Sequence, residues 1–409
     1  MSLVHWIWFA EKRLSHRAEK ALLEWKNDPA NVFYAQRDEL EKMGIAGEEL
    51  AKLLDKDLRG AENIIGRCAE KNVSIITLQD AAYPQRLKNI SDPPCVLYVK
   101  GHLPSVDTEP VIAVVGTRKC THYGAEITRN ISYEMAAKGA LICTGLAEGI
   151  DSRAAEAALM ANGQVIGVLG TGIDEVFPRF NRELFEDVAA RGVLISEYAP
   201  GCPGSKLTFP RRNRIIAGLS LAVVVPEAPE RSGALITVRH ALEYGRDVYA
   251  VPSNADSREG KGSNTLIQEG AALVMCGWDV LREYKALFPD KISEKGPDKV
   301  PAQQYNPEDK RKRTEEAKPQ NEEPGKGFFK FRVPVRKARN ENLASQLSGL
   351  SENQLKIVAV MTKPSMHVDD IIDLSAMPAS IVLSELTMLQ IKGFVSQESG
   401  KRFTLNITK

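Results

Sequence analysis

Short apolar runs alternate with helical patterns throughout residues 73–284, and this alternation limits the domain to a small set of folds. The runs are rich in Val, Ile and Leu and lack polar alternation, as expected for strands covered on both faces. Most are followed by a loop and then an amphipathic helical stretch, the pattern of a doubly wound parallel sheet. The sequence therefore predicts an α/β domain with a mostly parallel sheet. Its predicted strands are residues 111–115, 140–143, 165–169, 193–196, 221–225, 247–251 and 272–275.

The region before this domain has a different pattern. Residues 1–72 carry apolar residues at three-to-four spacing, which predicts an N-terminal helical domain. Within it, residues 44–47 resemble the turn of a helix-hairpin-helix, whose backbone amides can hold a phosphate. We therefore expect a domain of the SAM or helix-hairpin-helix type, and a plain helical connection is the alternative.

The region after the domain has two parts. Residues 285–345 are charged and rich in Pro, Gln, Asn and Glu, which predicts a flexible linker. In residues 346–409, three predicted helices (351–361, 368–375 and 378–391) and a hairpin (393–405) predict a winged helix. The third helix carries Glu385 and Gln390 but no Lys or Arg before Lys392. A helix that binds the major groove needs several basic or amide side chains, so we expect this module to contact protein.

Composition limits the class of protein and the kind of partner. The formal net charge is +1, so any affinity for nucleic acid must come from the local placement of charge. No apolar run reaches the roughly 18 residues that a membrane span needs, and the amino-terminus lacks the order of a signal peptide. Six cysteines are scattered singly, without Cys-x-x-Cys, which predicts reduced thiols in a cytoplasmic protein without structural zinc.

The loops after the predicted strands concentrate glycine, hydroxyl and basic residues. Because the carboxyl ends of parallel strands share one edge of a sheet, these loops are expected to converge there, where ligands bind. Glycine and helix N-termini allow backbone to approach phosphate closely. Five of the loops supply Arg or Lys, which predicts a basic groove for a polyanion. The candidate residues are Gly116, Thr117, Arg118, Lys119, Gly145, Arg179, Arg182, Arg211, Arg212, Asn213, Arg214, Ser232, Gly233 and Lys261.

Three of these arginines fall within four residues, at a predicted helix entrance in residues 209–220. A helix N-terminus already carries partial positive charge, so clustered guanidinium groups there favour a bound anion. The alternative is a solvated basic turn whose arginines pair with carboxylates elsewhere in the chain.

Signals for catalysis are weaker. The chain has no P-loop motif, the glycine spacing in residues 167–172 does not match a dinucleotide fingerprint, and the histidines are dispersed. Glu148 and Asp151 could act as a carboxylate pair, or they could cap a helix or orient arginines. We therefore expect no cofactor and no bond-breaking chemistry.

Several motifs, in this order, resemble the DprA (Smf) family of DNA-processing proteins. They include Val115-Gly116-Thr117-Arg118 and Ser232-Gly233-Ala234, and the set extends over about residues 75–280. The others are residues 83–94, with Tyr-Pro-x-x-Leu-x-x-Ile-x-Asp-Pro-Pro, residues 144–151, with Thr-Gly-Leu-Ala-Glu-Gly-Ile-Asp, residues 209–218, and residues 262–271.

The resemblance implies a non-catalytic protein that binds single-stranded DNA in a Rossmann-like domain. It also implies protection of incoming strands and loading of the RecA recombinase during natural transformation, with homodimerisation through the same domain. The strand would contact Arg118, a basic residue of 177–182, and residues 211–214. We place the dimer and recombinase contacts near residues 237–244. The long, charged linker departs from the family pattern.

Two other classes of protein stay open. One is a nucleotide-processing phosphoribohydrolase on a related fold, which carries Pro-Gly-Gly-x-Gly-Thr before a catalytic Glu. Residues 230–234 of this chain have Glu-Arg-Ser-Gly-Ala instead. The other is a winged-helix transcription regulator with a sensor domain, which the apolar third helix disfavours.

Overall fold

One mixed sheet of nine strands organises the first part of the computed structural model. The structure describes residues 3–298, and 351–405 apart from 362–364, 376, 378–381, 383–384, 387–388, 391–393 and 399–401. Within residues 3–298, the strands are β1 (Ser74–Thr77), β2 (Val96–Gly101), β3 (Val111–Val114), β4 (Leu141–Thr144), β5 (Val165–Leu169), β6 (Val193–Ser196), β7 (Ala222–Val225), β8 (Asp247–Ala250) and β9 (Ala272–Leu273).

The strand order across this sheet is β1-β2-β6-β5-β4-β3-β7-β8-β9. The strands from β6 to β9 in that order are mutually parallel, whereas β2 pairs antiparallel with both β1 and β6. The order reverses between β3 and β7, which are neighbours near the centre. The predicted doubly wound, mostly parallel sheet is therefore confirmed, and the reversal marks where a ligand crevice opens.

Helices cover both faces of this sheet. They are α7 (Gln85–Lys88), α8 (His122–Ala137), α9 (Ile150–Met160), α10 (Arg182–Arg191), α11 (Thr208–Leu219), α12 (Ala234–Glu243), α13 (Lys261–Gln268) and α14 (Gly277–Leu281). Alternate residues of a strand point to opposite faces, so Ile112 and Val114 of β3 join the core under α8, α9 and α10. Val111 and Ala113 join the core under α7, α11 and α12.

The N-terminal region is helical, as predicted. Its helices among the described residues are α1 (Leu3–Glu11), α2 (His16–Lys26), α3 (Pro29–Phe33), α4 (Arg37–Lys42), α5 (Gly47–Leu54) and α6 (Arg59–Glu70). Trp6, Trp8 and Leu53 are buried in the same apolar core that lies under α8 and α9. The turn between α4 and α5 needs Gly44 because its φ of 79° is left-handed. A contact of this turn with DNA stays a prediction.

Ordered structure continues beyond the predicted domain end at residue 284. Ile292 is buried, and the Ser293 N–H donates to the Lys138 carbonyl oxygen at 3.0 Å. Lys138 Nζ lies 2.7 Å from the carboxylate of Asp298. These contacts hold residues 285–298 against the end of α8, and the linker start at residue 285 stays a prediction. The remainder of the predicted linker, 299–345, lies outside the described residues.

The chain divides into two compact units, Met1–Ala317 and Lys318–Lys409. In the second, the described elements are α15 (Glu352–Val360), β10 (Ser365–His367), α16 (Val368–Ser375), β11 (Val395–Glu398) and β12 (Arg402–Leu405), with sheet order β10-β12-β11. Ile357, Ile371 and Phe403 lie in its core. The predicted third helix, 378–391, lies mostly outside the described residues. In the part of the chain that is described, no helix has the length and apolar character that crossing a bilayer requires.

Candidate nucleic-acid interface

An open cavity of about 740 Å³ lies where the strand order reverses. The loop after β3 supplies Gly116, Thr117 and Arg118 to its wall, and the β7–α12 loop supplies Ser232 and Gly233. The β4–α9 segment, the first turns of α11 and α12, and the loops that carry Phe177 and Lys206 also contribute to the lining. The predicted convergence of these loops at one edge is therefore present in the structure.

Glu227 holds the loop after β3 in place. Its carboxylate is buried and accepts hydrogen bonds from the Thr121 N–H at 2.7 Å and the Thr121 hydroxyl at 2.6 Å. Its carbonyl oxygen accepts the Thr117 N–H at 2.9 Å. The loop that carries Arg118 is thus attached at both ends to the end of β7. Glu227 was not predicted as a site residue, because nothing in its local sequence pattern distinguishes it from a solvated carboxylate.

Asp151 and Arg212 form the charged floor of the cavity. Asp151 lies in the first turn of α9 and is buried; its Oδ2 accepts the Gly145 N–H at 3.1 Å. Arg212 is also buried, and its Nη1 donates to the Gly145 carbonyl oxygen at 2.8 Å. Burial raises the pKa of Asp151, and the Arg212 charge opposes this shift. Asp151 thus holds the Gly145 amide and lies within the electrostatic influence of a buried arginine, whereas Glu148 is exposed.

Arg214 and Arg211 are directed toward carboxylates instead of the cavity. Helix α11 begins at Thr208, so both lie within its first two turns. Arg214 is 2% exposed, with Nε 3.1 Å from Asp92 Oδ2 and Nη2 bonded to Glu197. Burial disfavours its charged form, but Glu197 and Asp92 outweigh burial and raise its pKa. Arg211 is half-buried, with Nη2 3.5 Å from Glu197 Oε1. Internal carboxylates therefore neutralise most of the charge that predicted an anion here.

Aromatic rings accompany the exposed cations at the cavity mouth. The guanidinium of Arg118 lies 5.6 Å from the ring centroid of Phe209. The Phe209 ring packs against Phe177 with a centroid separation of 5.0 Å, and Phe177 is 46% exposed. Lys206 and Arg231 are exposed and also line the cavity. This cluster places positive charge beside two aromatic rings, of which Phe177 is exposed.

A family model decides the assignment of this chain. The model described as DNA recombination-mediator protein A matches residues 74–285, just over half of the chain. The chain belongs to the DNA recombination-mediator protein A family. A second model, the DprA winged helix domain, matches residues 341–401. The resemblance to DprA and Smf proteins is confirmed, as is an α/β fold accompanied by a C-terminal winged helix.

Individual relatives support the assignment of this chain to the DprA family. Protein Smf of Synechocystis sp. is 34% identical over 404 residues, which cover 96% of this chain and 94% of that protein. DNA processing protein DprA of Streptococcus pneumoniae is 43% identical over 209 residues, 51% of this chain and 73% of that protein. The X-ray structure of DprA from Streptococcus pneumoniae has a TM-score of 0.62 and 34% identity, covering 69% of this chain and 98% of that one. The likeness therefore extends well beyond one motif cluster.

The predicted site residues of this DprA-family chain separate into two groups. The cavity lining contains Gly116, Thr117, Arg118, Arg212, Asn213, Ser232 and Gly233. The other candidates lie outside that lining among the described residues: Lys119, Gly145, Arg179, Arg182, Arg211, Arg214 and Lys261. Of these, Lys119, Arg179 and Arg182 are exposed, and Lys261 Nζ is 3.2 Å from Glu230.

Four aromatic and basic residues that line the cavity were not predicted as site residues: Phe177, Phe209, Lys206 and Arg231. The signal for Phe177, Lys206 and Phe209 was aromatic residues near basic ones in residues 177–182 and 206–212, whereas Arg231 lies in the separate segment 230–234. The sequence predicts that these segments converge on one edge of the sheet, but only the fold shows that the Phe177 and Phe209 rings pack against each other.

Proposed function

We propose that this chain binds single-stranded DNA in the cavity between β3 and β7 and acts as a recombination mediator. The observation that carries this proposal is the Arg118 guanidinium over the Phe209 ring, beside the exposed Phe177, in an open cavity. Proteins that bind single strands combine a basic groove with rings on which bases stack. A duplex covers its base faces, so this combination favours an unpaired strand.

In this proposal the cavity residues have distinct roles. Arg118, Lys206 and Arg231 are exposed and would contact phosphates. Phe177 and Phe209 would stack against bases. Gly233 lets the backbone come close to the strand, because a Cβ there would stand in open space, whereas Gly116 leaves room for Ile150 and the Glu227 carbonyl oxygen. Arg214 has no part in binding here, because its guanidinium is held by two carboxylates.

We further propose that the chain loads the RecA recombinase, forms a homodimer through its α/β domain and acts in the cytoplasm. Membership of a recombination-mediator family supports this extension. We also propose that the chain does no bond-breaking chemistry. Asp151, which could have served as a catalytic base, already accepts the Gly145 N–H and faces a buried arginine.

The winged-helix unit is proposed to contact protein. Its described core is apolar, with Ile357, Ile371 and Phe403 buried. Glu385, in the predicted third helix, accepts a hydrogen bond from Gln354 Nε2 at 2.7 Å. This carboxylate is therefore engaged in a contact within the unit.

Arg118→Ala should weaken binding of single-stranded DNA about tenfold and equally for all strand sequences, because it removes a phosphate contact. The slope of log affinity against log salt should fall in magnitude by about 0.7, the value for one contact with a single strand. Fluorescence anisotropy with labelled oligonucleotides at several salt concentrations measures both quantities. The control is Arg37→Ala, an exposed arginine on α4. A variant with the wild-type slope and affinity would remove Arg118 from the interface.

Phe177→Ala should weaken binding by about 1–3 kcal/mol without changing the salt slope, because stacking releases no counterions. The same anisotropy titrations separate this result from that of Arg118→Ala. Tyr34→Ala is a matched control, since Tyr34 is an exposed aromatic residue of the helical region. An equal loss in the control would mean that the Phe177 result is not specific to the cavity.

A further inference from the structure

The backbone amides at the strand-order reversal already hold an anion that belongs to the chain itself. The Asp151 carboxylate accepts the Gly145 N–H at 3.1 Å, and the backbone N–H groups of Gly116 and Ala147 lie near it and stabilise its charge. These amides follow β3 and β4, and Asp151 lies in the first turn of α9. Amides at the carboxyl ends of such strands, beside a helix N-terminus, are the usual phosphate site of this type of sheet.

A buried positive charge accompanies this carboxylate. Arg212 is 4% exposed, lies in the same cavity lining as Asp151, and interacts electrostatically with it. Its position is fixed by bonds from Nη1 to the carbonyl oxygens of Gly145 and Val168. A side chain at residue 145 would collide with this guanidinium, so the glycine permits the close approach. The backbone amides, Arg212 and the cavity together form an anion site, and the anion that occupies it is the Asp151 carboxylate.

We infer that Asp151 is a specificity-determining residue that occupies the phosphate position of the crevice and so excludes free phosphate and nucleoside monophosphates. This inference rests on the proposed function, in which the strand lies across the outer cations instead of inserting a phosphate at the floor. Asp151 also lies beside the backbone N–H of Gly116, two residues before Arg118, and so helps to position the loop that carries Arg118. Asp151 is a positioning residue with respect to the strand.

The test removes the internal anion. Asp151→Ser shortens the side chain and leaves the amides and Arg212 facing the open cavity. We expect this variant to bind inorganic phosphate and deoxyadenosine 5′-monophosphate at least about tenfold more tightly than wild type, measured by calorimetry and by the shift of the thermal midpoint at constant ionic strength. Adding Arg212→Met to Asp151→Ser should abolish the gain.

Glu148→Ser is the matched control, since it removes an exposed carboxylate three residues earlier and leaves the amides occupied. A similar gain in this control would show that net charge alone attracts phosphate and would overturn the inference. Asp151→Asn, which keeps the side-chain shape, is a second variant and should show a smaller gain in the same direction. Wild type itself should be stabilised no more by phosphate than by chloride at equal ionic strength; phosphate binding that depends on Arg212 in wild type would also overturn the inference.

Oligonucleotide binding by wild type is measured on the same preparation, which keeps the two hypotheses separate. Folded wild type that fails to bind single-stranded DNA would refute the proposed function, whatever the phosphate result. A folded Asp151→Ser protein that gains no phosphate affinity would refute the inference, even if wild type binds strands.

Discussion

Arg214→Ala should lower the free energy of unfolding by about 3–5 kcal/mol, because it leaves partly buried carboxylates without their counter-charge. The Arg214 guanidinium is buried on α11 and contacts both Asp92 and Glu197. Neither carboxylate can become fully solvated while the core around it stays packed. Urea denaturation followed by circular dichroism measures the loss. The fraction of the variant that remains folded should bind single-stranded DNA with wild-type affinity.

The matched control for this prediction is Arg211→Ala on the same helix. Its side chain is 37% exposed and lies 3.5 Å from Glu197, so solvent screens the interaction and the loss should stay below about 1 kcal/mol. Equal losses for the two variants would contradict the structural role of Arg214. If the folded Arg214→Ala variant bound single-stranded DNA more weakly than wild type, Arg214 would contact phosphate, as predicted from the sequence.

Wild-type stability should fall by up to roughly 3 kcal/mol between about pH 5 and pH 8 because of Glu19. Glu19 is a buried residue of α2, and burial is the largest cause that raises its pKa to about 7 from 4.5. Arg211 and Arg214 oppose the shift, whereas Asp92 and Glu197 add to it. The pKa of Glu19 is higher in the folded state than in the unfolded state. The stabilisation that this shift gives is therefore complete below pH 4.5 and is lost as pH rises through about 7.

Glu19→Gln should remove this dependence, since the amide resembles the protonated acid at every pH. The variant should exceed wild type in stability at pH 8.5 and differ little from it near pH 5, in urea denaturation at the two pH values. Glu24→Gln, an exposed position on the same helix, should follow the wild-type profile. A pH dependence that persists unchanged in Glu19→Gln would assign the effect to other groups.

Much of the fold was predictable because a strand that is buried on both faces is a continuous apolar run, which can be recognised in the local sequence. The continuous apolar runs at residues 111–115, 165–169 and 193–196 each contain the strand that the structure shows. Strands β1 and β2, which extend the sheet on one side and pair antiparallel, were not predicted from the sequence. β2 is an apolar run outside the strand-to-helix alternation that identified the parallel strands, and β1 has only two apolar residues, Ile75 and Ile76, after an exposed first residue.

The sequence alone determined that glycines and cations of several loops meet at one edge of the sheet, because parallel strands connected by helices leave no other arrangement. Only the tertiary structure decided which cations remain available. Arg118 is exposed over an aromatic ring, Arg212 faces Asp151, and Arg214 is held by Asp92 and Glu197. The physical reason is that a charge is neutralised by what lies near it in space, and these carboxylates are distant in the chain.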